Sequence, residues 1–153
     1  MPGSFSQLYI HAIAGVKFRR AQLLPEWERD VYAVMVDALR ELKHTPIIIN
    51  GTTDHVHALW RHHPTDTVSN TLKIIKGRSS HFINDLGLTD DRFRWQGGYG
   101  AFSVSTSKVP IVKRYIQRQK IHHAQQTVQQ EMRWFLEQHG APEPEWYVFD
   151  EMA

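Results

Sequence analysis

Segments with a helical period and segments with a strand period alternate along this chain, and their order limits the folds that it can adopt. From Pro25 to His44 the apolar residues recur at helical spacing, and Pro25 stands in the first turn, where proline is well tolerated. Residues 46–50 and 55–61 are β-rich runs on either side of the polar segment 51–54. The pattern predicts an amphipathic helix followed by a β-hairpin.

Strand and helix signals continue the alternation on both sides of this unit. Residues 7–14 predict a first strand. A second helix, capped by Thr65 or Asp66, is predicted to run to about Leu86. A loop rich in glycine and aromatic residues then leads to a strand at 101–105.

A third helix is predicted to begin at Val109-Pro110 and to extend to about His123. It either continues or restarts through Gln138, before Gly140 ends it. The complete order is β-α-β-β-α-β-α. This order predicts an α+β fold, a two-layer sandwich in which an antiparallel sheet carries helices on one face, as in ferredoxin-like and RNA-recognition-motif-like domains.

Length and composition fit one globular domain over residues 1–153, with 41% hydrophobic and 22% charged residues. The chain has no cysteine, which excludes disulfides, thiolate zinc sites and cysteine nucleophiles. Neither a signal-peptide pattern nor an apolar run of membrane-spanning length is present, so a cytoplasmic location is the default expectation. The aromatic tail at 140–153 is expected to dock on the body of the domain or on a partner subunit.

The basic residues are clustered, although the net charge is only +2 and the pI is about 9.0. The clusters are Lys17, Arg19 and Arg20; Lys73, Lys76 and Arg78; and Lys113, Arg114, Arg118 and Lys120. One such cluster is commonly a solvated surface, whereas three together favour contacts with a polyanion.

The segment His55-Val56-His57 lies in a predicted strand, where side chains alternate between faces, so both imidazoles point the same way. Imidazole binds Mg, Mn or Zn class ions, although Mg prefers oxygen and is helped by an amide or phosphate oxygen. Ten histidines in this chain make the triplet weak evidence alone. The adjacent pairs His62, His63 and His122, His123 diverge in direction, and most of these side chains are expected to be exposed.

Tyr115 and Gln119 are four residues apart, on one face of the third predicted helix. Tyrosine needs help as a nucleophile, because its pKa of about 10 keeps the phenol protonated at neutral pH. A metal that withdraws charge from a phosphate reduces this demand, and Arg114 and Arg118 could bind the phosphate. An exposed pair on a helix surface is the alternative, yet of five tyrosines only Tyr115 has glutamine at the fourth following position.

Four motifs follow one another in a fixed order. They are Asp54-His55-Val56-His57, the segment 72–80 (LKIIKGRSS), the segment 93–104 (FRWQGGYGAFSV) and Tyr115-Ile116-Gln117-Arg118-Gln119. This set resembles the single-tyrosine transposases with an HUH motif (histidine, hydrophobic residue, histidine) of small insertion sequences, including their repeat-associated relatives. The likeness extends from about residue 7 to the end of the chain.

The resemblance implies that His55, His57 and Gln119 are metal ligands and that Tyr115 is the nucleophile. It implies a DNA transposase that binds single-stranded DNA with hairpin ends and cleaves it with Mg or Mn. A 5′-phosphotyrosine link and a free 3′-hydroxyl result, and attack by a 3′-hydroxyl rejoins the strands without a nucleotide cofactor. It also implies a homodimer with composite active sites, in which Tyr115 and Gln119 of one subunit meet the histidines of the other.

Supporting roles follow for other residues of these motifs. DNA-binding roles are predicted for Arg19, Arg20, Lys73, Lys76, Arg78, Trp95, Arg114 and Arg118. Trp95 and Tyr99, in the glycine-rich loop, are placed to stack unpaired bases, with core packing an equal alternative for Trp95. Asp54 either orients His55 through a hydrogen bond or is a turn residue.

Three other functions are consistent with the sequence. A non-catalytic RNA- or single-stranded-DNA-binding module would share the strand order, and residues 98–102 resemble an RNA-recognition signature, although an inserted alanine and Ser105 weaken the match. A metal-dependent hydrolase would use water and leave Tyr115 a structural role. A domesticated repeat-processing nuclease would keep the same residues.

Overall fold

The computed structural model of the chain describes residues 3–17, 23–122 and 127–141. The elements are β1 (Leu8–Gly15), α1 (Glu28–Glu41), β2 (Thr45–Gly51), β3 (His55–His62), α2 (Val68–Asp85), β4 (Gly100–Val104), α3 (Val109–Gln117), α4 (Gln119–His122) and α5 (Val128–Gln138). The predicted order of strands and helices is confirmed. Among the described helices, none combines the length and the apolar character needed to cross a membrane.

The four strands form one antiparallel sheet in the order β2-β3-β1-β4. The predicted α+β class is therefore confirmed, with β3 and β1 at the centre of the sheet. Ile13 of β1 lies opposite His57 of β3, and Ala12 lies opposite Ala58. Because paired residues in an antiparallel sheet point to the same face, this register places His57 and Ile13 together on one face and the two alanines on the other.

The larger core lies between the sheet and the helices α1 and α2, as predicted. Val56, Ala58 and Trp60 of β3 pack there against residues such as Met35 of α1 and Ile75 of α2. These contacts explain why positions 56, 58 and 60 of β3 are apolar.

The opposite face carries a second, smaller core that the prediction of helices on one face did not include. Ile13 and Phe102 of the sheet pack against Met132, Phe135 and Leu136 of α5. The three α5 residues recur at helical spacing, and burying this apolar stripe holds α5 on the sheet. The odd-numbered positions of β3, including both histidines of the triplet, face this layer.

The helix ends differ from the predicted ends for local reasons. Lys43 adopts a left-handed φ of 70° just after α1. Thr67, rather than Thr65 or Asp66, caps α2, since its side chain accepts a hydrogen bond from the Asn70 backbone N–H.

The predicted third helix is divided into three. It breaks at Arg118, and α5 restarts behind a capping box formed by Thr127 and Gln130. Gly140, with a φ of +67°, follows the end of α5 as predicted. Arg19, Arg20, His123, the side chain of His122 and the tail from residue 142 lie outside the described residues.

Candidate metal and nucleophile centre

Three buried side chains meet on the face of the sheet that α5 covers. His55, His57 and Glu131 each offer one ligand atom, and these atoms lie within 4.8 Å of one another. All three side chains have no exposed surface. Two imidazole nitrogens and a carboxylate oxygen in this arrangement fit a divalent metal ion.

The turn between β2 and β3 fixes the start of β3 and with it His55. A Cβ atom at Gly51 would lie 2.2 Å from the carbonyl oxygen of His55, so this position requires glycine. The Thr52 backbone N–H donates to that same carbonyl at 3.0 Å. The carbonyl of Asp54 accepts from the Val16 N–H at 2.8 Å, which ties the turn to the end of β1.

The ring of His55 is held from behind by its Nδ1 atom. Nδ1 lies 2.8 Å from Asp54 Oδ1 and 2.8 Å from Thr52 Oγ1, so the Nδ1 proton has acceptors and Nε2 faces the cluster. The predicted hydrogen bond between the two residues is present, with His55 Nδ1–H donating to the Asp54 carboxylate. Burial acts to lower the pKa of His55, but the hydrogen bonds with Asp54 and Glu131 and their charges raise it above the ordinary value.

The ring of His57 has a second histidine behind it. Its Nδ1 atom lies 2.7 Å from Nε2 of His11, and the two rings stack with centroids 5.0 Å apart. Burial, followed by the neighbouring His57, lowers the pKa of His11 well below its usual value, so His11 is neutral. A neutral His11 can accept the Nδ1 proton of His57, which leaves Nε2 of His57, 2.8 Å from Glu131 Oε1, as the atom that faces the cluster.

Tyr115 and Gln119 reach the same cluster. Gln119 Oε1 lies 3.2 Å from His55 Nε2, and Gln119 Nε2 donates to Glu131 Oε2 at 3.1 Å. The phenol of Tyr115 donates to the same carboxylate oxygen of Glu131. Burial, followed by the charge of Glu131 and this hydrogen bond, raises the pKa of Tyr115.

One chain therefore brings together Tyr115, Gln119 and both histidines. The prediction had these residues meeting across a dimer interface. In the structure the tyrosine contacts its own chain, with the Tyr115 ring 5.9 Å from the ring of His57. An exchange of this helix between subunits stays a prediction.

The sequence prediction missed Glu131 and His11. Glu131 lies four residues before Phe135, so it falls on the apolar stripe of α5. His11 lies between Tyr9 and Ile13 on the inward-facing positions of β1. A charged or polar residue on an apolar face is the signal that could have identified both.

The predicted basic residues occupy three different settings. Arg114 and Arg118 are exposed on the tyrosine-bearing segment. Lys73 is exposed on α2, on the other side of the sheet, and Arg78 forms an exposed ion pair with Glu41. Of the predicted DNA-binding residues that the structure describes, only Arg114 and Arg118 belong to the segment that carries Tyr115 and Gln119.

Lys76 and Trp95 take part in packing of the glycine-rich loop. Lys76 Nζ donates to the carbonyl of Gln96 at 2.9 Å and to that of Gly98, and burial lowers its pKa to about 8. Trp95 is buried, and its Nε1 donates to Ser79 Oγ at 2.9 Å. The core-packing alternative for Trp95 therefore agrees with the structure, and its ring is not open to a base.

His62 also differs from the expectation of exposure, because only 6% of its surface is accessible. Its ring stacks on His44, with centroids 4.3 Å apart. This pair forms a second histidine cluster on the opposite face of the sheet.

Comparison with known proteins agrees with this fold. A candidate transposase from Deinococcus radiodurans R1 has a similar structure, with a TM-score of 0.63 and 20% identity over 78% of this chain and 95% of the other. A REP-associated tyrosine transposase bound to a REP hairpin has a TM-score of 0.59 and 17% identity over 80% of this chain and 73% of the other. No curated protein sequence matches. The family model described as IS200-like transposase matches residues 4–119, and the chain belongs to this family.

Proposed function

We propose that this protein is a metal-dependent DNA transposase that cleaves and rejoins single-stranded hairpin DNA through a phosphotyrosine formed on Tyr115. The observation that carries the proposal is the shared carboxylate of Glu131. One of its oxygens lies beside the two histidine Nε2 atoms, and the other accepts a hydrogen bond from the Tyr115 phenol. Membership of a transposase family supports DNA as the substrate.

The metal ligands proposed are His55 Nε2, His57 Nε2 and Gln119 Oε1, with Glu131 Oε1 as a further donor. Glu131 Oε1 lies 2.8 Å from His57 Nε2 and 3.5 Å from His55 Nε2, so these atoms already face a common point. Two imidazoles with two oxygen donors suit Mg or Mn. A bound divalent ion would polarise the scissile phosphate and balance the charge of Glu131.

Tyr115 is the proposed nucleophile. Its phenolic oxygen forms a bond to phosphorus while the bond from phosphorus to the 3′ oxygen breaks, and the 5′-phosphotyrosine retains the energy of the broken bond. The carboxylate of Glu131 holds the phenolic proton at its Oε2 atom and can accept it during attack. The departing 3′ oxygen takes a proton from water, and the hydroxide that remains takes up the proton from Glu131. In the reverse attack the proton of the 3′-hydroxyl is transferred, and Tyr115 is protonated again.

Arg114 and Arg118 are proposed to bind phosphates beside the nucleophile. Both are exposed on the segment that carries Tyr115 and have no ion-pair partner among the described residues. A structurally similar REP-associated tyrosine transposase is bound to a REP hairpin, which supports a hairpin as the substrate here. Lys73 and Arg78 lie on the other side of the sheet, so contacts from them need DNA that extends around the domain.

The decisive experiment is trapping of the covalent adduct. Single-stranded oligonucleotides that carry the palindromes flanking the gene are incubated with the protein and Mg or Mn, then separated by denaturing electrophoresis. We expect a protein–DNA adduct that Tyr115→Phe abolishes and Tyr99→Phe retains.

Each other outcome points to a different function. Metal-dependent cleavage without an adduct, unchanged in Tyr115→Phe, would establish a hydrolase that uses water. Binding of RNA or DNA without cleavage in any metal would establish a binding module. Cleavage without rejoining of a matched 3′-hydroxyl strand would favour a repeat-processing nuclease.

The predicted homodimer with composite sites has its own test. Tyr115→Phe and His57→Ala are each expected to be inactive. If tyrosine helices are exchanged between subunits, a mixture of the two variants regains adduct formation, since one site of the mixed dimer is complete. If each chain uses its own tyrosine, the mixture stays inactive.

A further inference from the structure

Trp134 is an exposed aromatic residue next to the nucleophile. Its side chain lies off the buried stripe of α5 and is 49% exposed. The other tryptophans that the structure describes, Trp27, Trp60 and Trp95, are all buried. A single exposed apolar side chain is common on protein surfaces, so what distinguishes Trp134 is its position beside the proposed nucleophile.

The indole lies in the same ring cluster as Tyr115. The two ring planes are nearly parallel, at 16°, with centroids 6.5 Å apart. Phe135 contacts both rings edge-on, at 5.0 Å from Trp134 and 5.4 Å from Tyr115. Since Phe135 is buried and belongs to the α5 core, it fixes the position of the indole relative to the phenol.

The surface around Trp134 has the character of a single-strand binding site. Ile111, one turn before Tyr115 on the same face of α3, is 54% exposed. Arg114 and Arg118 are exposed on the same segment. Aromatic rings that stack bases, with cations for the phosphates, are the combination that binds single-stranded DNA.

We infer that Trp134 forms a nucleotide subsite in which its indole stacks on the base next to the scissile phosphate. The inference rests on the proposed function and adds a position for the substrate. A phosphate attacked by the Tyr115 oxygen carries its neighbouring nucleotide into the immediate surroundings of that side chain. Among the described residues, Trp134 is the exposed aromatic ring that contacts the ring cluster of Tyr115. The occupant is thus a nucleobase, and the family match, which ends at residue 119, does not include this residue.

The test is a double-mutant cycle between the protein and the DNA. Binding is measured by fluorescence anisotropy in a Tyr115→Phe background, and cleavage is measured in the otherwise unchanged protein. Trp134→Ala is combined with oligonucleotides that carry one abasic nucleotide at each position around the cleavage site. Phe5→Ala is the matched control, because Phe5 is an aromatic residue with 80% exposure that the proposed site does not use.

Loss of stacking is expected to weaken binding by about 5- to 150-fold, the equivalent of 1–3 kcal/mol per base. One abasic position next to the scissile phosphate should cause a similar loss in the parent protein and no further loss in Trp134→Ala. Trp134→Phe should restore most of the affinity, and Phe5→Ala should leave it unchanged.

The subsite would be overturned if the losses of affinity from Trp134→Ala and from the abasic nucleotide were additive at every position. Unchanged DNA binding in Trp134→Ala would also overturn it. A change of oligomeric state in Trp134→Ala, seen by light scattering, with unchanged coupling to the DNA would show a contact between copies instead. Failure of the proposed function is a separate result, since it appears as an absent adduct in the parent protein. Thermal unfolding of Trp134→Ala and its Mn²⁺ affinity, both expected to match the parent, show that fold and metal centre remain intact.

Discussion

Two pairs of buried histidines lie on opposite faces of one sheet, and only one pair is arranged to hold a metal. His55 and His57 face α5, whereas His44 and His62 face α2. Both pairs are buried and both have ring contacts between their members. Burial and proximity of histidines therefore do not identify a metal site by themselves.

The difference lies in the direction of the ring nitrogens. In the second pair each ring nitrogen has its own neutral hydrogen-bond partner. His44 Nδ1 accepts from the His63 N–H, and His44 Nε2 lies within hydrogen-bond distance of Thr71 Oγ1. His62 Nδ1 accepts from Trp60 Nε1, and His62 Nε2 donates to the Asp66 carbonyl. These partners lie in different directions. In the first pair, Asp54 and His11 hold the Nδ1 atoms, and both Nε2 atoms approach one carboxylate. Satisfied Nδ1 atoms and converging Nε2 atoms are the combination that a metal ion needs.

Removing one histidine from each pair gives the largest expected difference. His57→Ala should lower Mn²⁺ affinity by more than about 1,000-fold, or 4.1 kcal/mol, because it removes a ligand. His62→Asn should leave the affinity unchanged, since its ring nitrogens bind only protein atoms. Isothermal titration calorimetry with Mn²⁺, supported by circular dichroism of each variant, makes the comparison. Equal losses in both variants would contradict the distinction between the two pairs.

Glu131→Gln is expected to have the next largest effect. The substitution keeps the shape but removes the negative charge, and charged contacts of this kind contribute about 1.5–3 kcal/mol, so Mn²⁺ affinity should fall by about 10- to 150-fold. Asp66→Asn supplies the matched change beside the second pair, where the carboxylate lies 3.9 Å from His44 Nε2. The Mn²⁺ electron paramagnetic resonance spectrum should change in Glu131→Gln only, and an unchanged spectrum would exclude Glu131 as a ligand.

Asp54→Ala tests the hydrogen bond that holds the ring of His55 in the first pair. Groups that hold metal ligands usually contribute about 10- to 100-fold in affinity. We expect a loss of about tenfold, the low end of that range, because Thr52 Oγ1 still contacts His55 Nδ1 at 2.8 Å. Thr71→Ala is the corresponding change behind His44 and should leave Mn²⁺ affinity as it is. An unchanged Mn²⁺ affinity in Asp54→Ala would show that Asp54 acts only as a turn residue.

The same contrast explains what the sequence could predict. Alternation along β3 was sufficient to place His55 and His57 on one face. Helical spacing paired Tyr115 with Gln119, and the pair meets at the cluster although the helix breaks at Arg118 between them. Glu131 could be noticed only as a charged residue on the apolar stripe of α5. Its contact with His57 was beyond a local pattern, because Glu131 lies 74 residues after His57 and approaches it only through the packing of α5. The burial of Trp95 was equally beyond a local pattern, since it depends on its hydrogen bond with Ser79 of α2.

The pH dependence of stability, measured without metal, is expected to differ between the two pairs, and this is the smallest of the expected effects. Burial, followed by the nearby His62, lowers the pKa of His44 to about 4, against about 6.5 in an unfolded chain. Between these values the unfolded chain takes up a proton that folded His44 does not, so the free energy of unfolding decreases as the pH falls, by up to about 1.4 kcal/mol per pH unit. His55 changes the free energy of unfolding in the opposite direction. Because its pKa is raised in the folded state, it stabilises the fold below pH 6.5, and this contribution is lost as the pH rises.

Urea unfolding with EDTA between pH 4.5 and 7 measures this slope. His44→Gln should flatten the loss of stability on the acid side, whatever its effect at neutral pH, because the group that excludes the proton is gone. A remaining slope is expected from His11, whose pKa burial also lowers. Equal slopes in the parent and in His44→Gln would mean that the second pair already accepts protons when folded, and a fixed, neutral hydrogen-bond network would then be the wrong description of it.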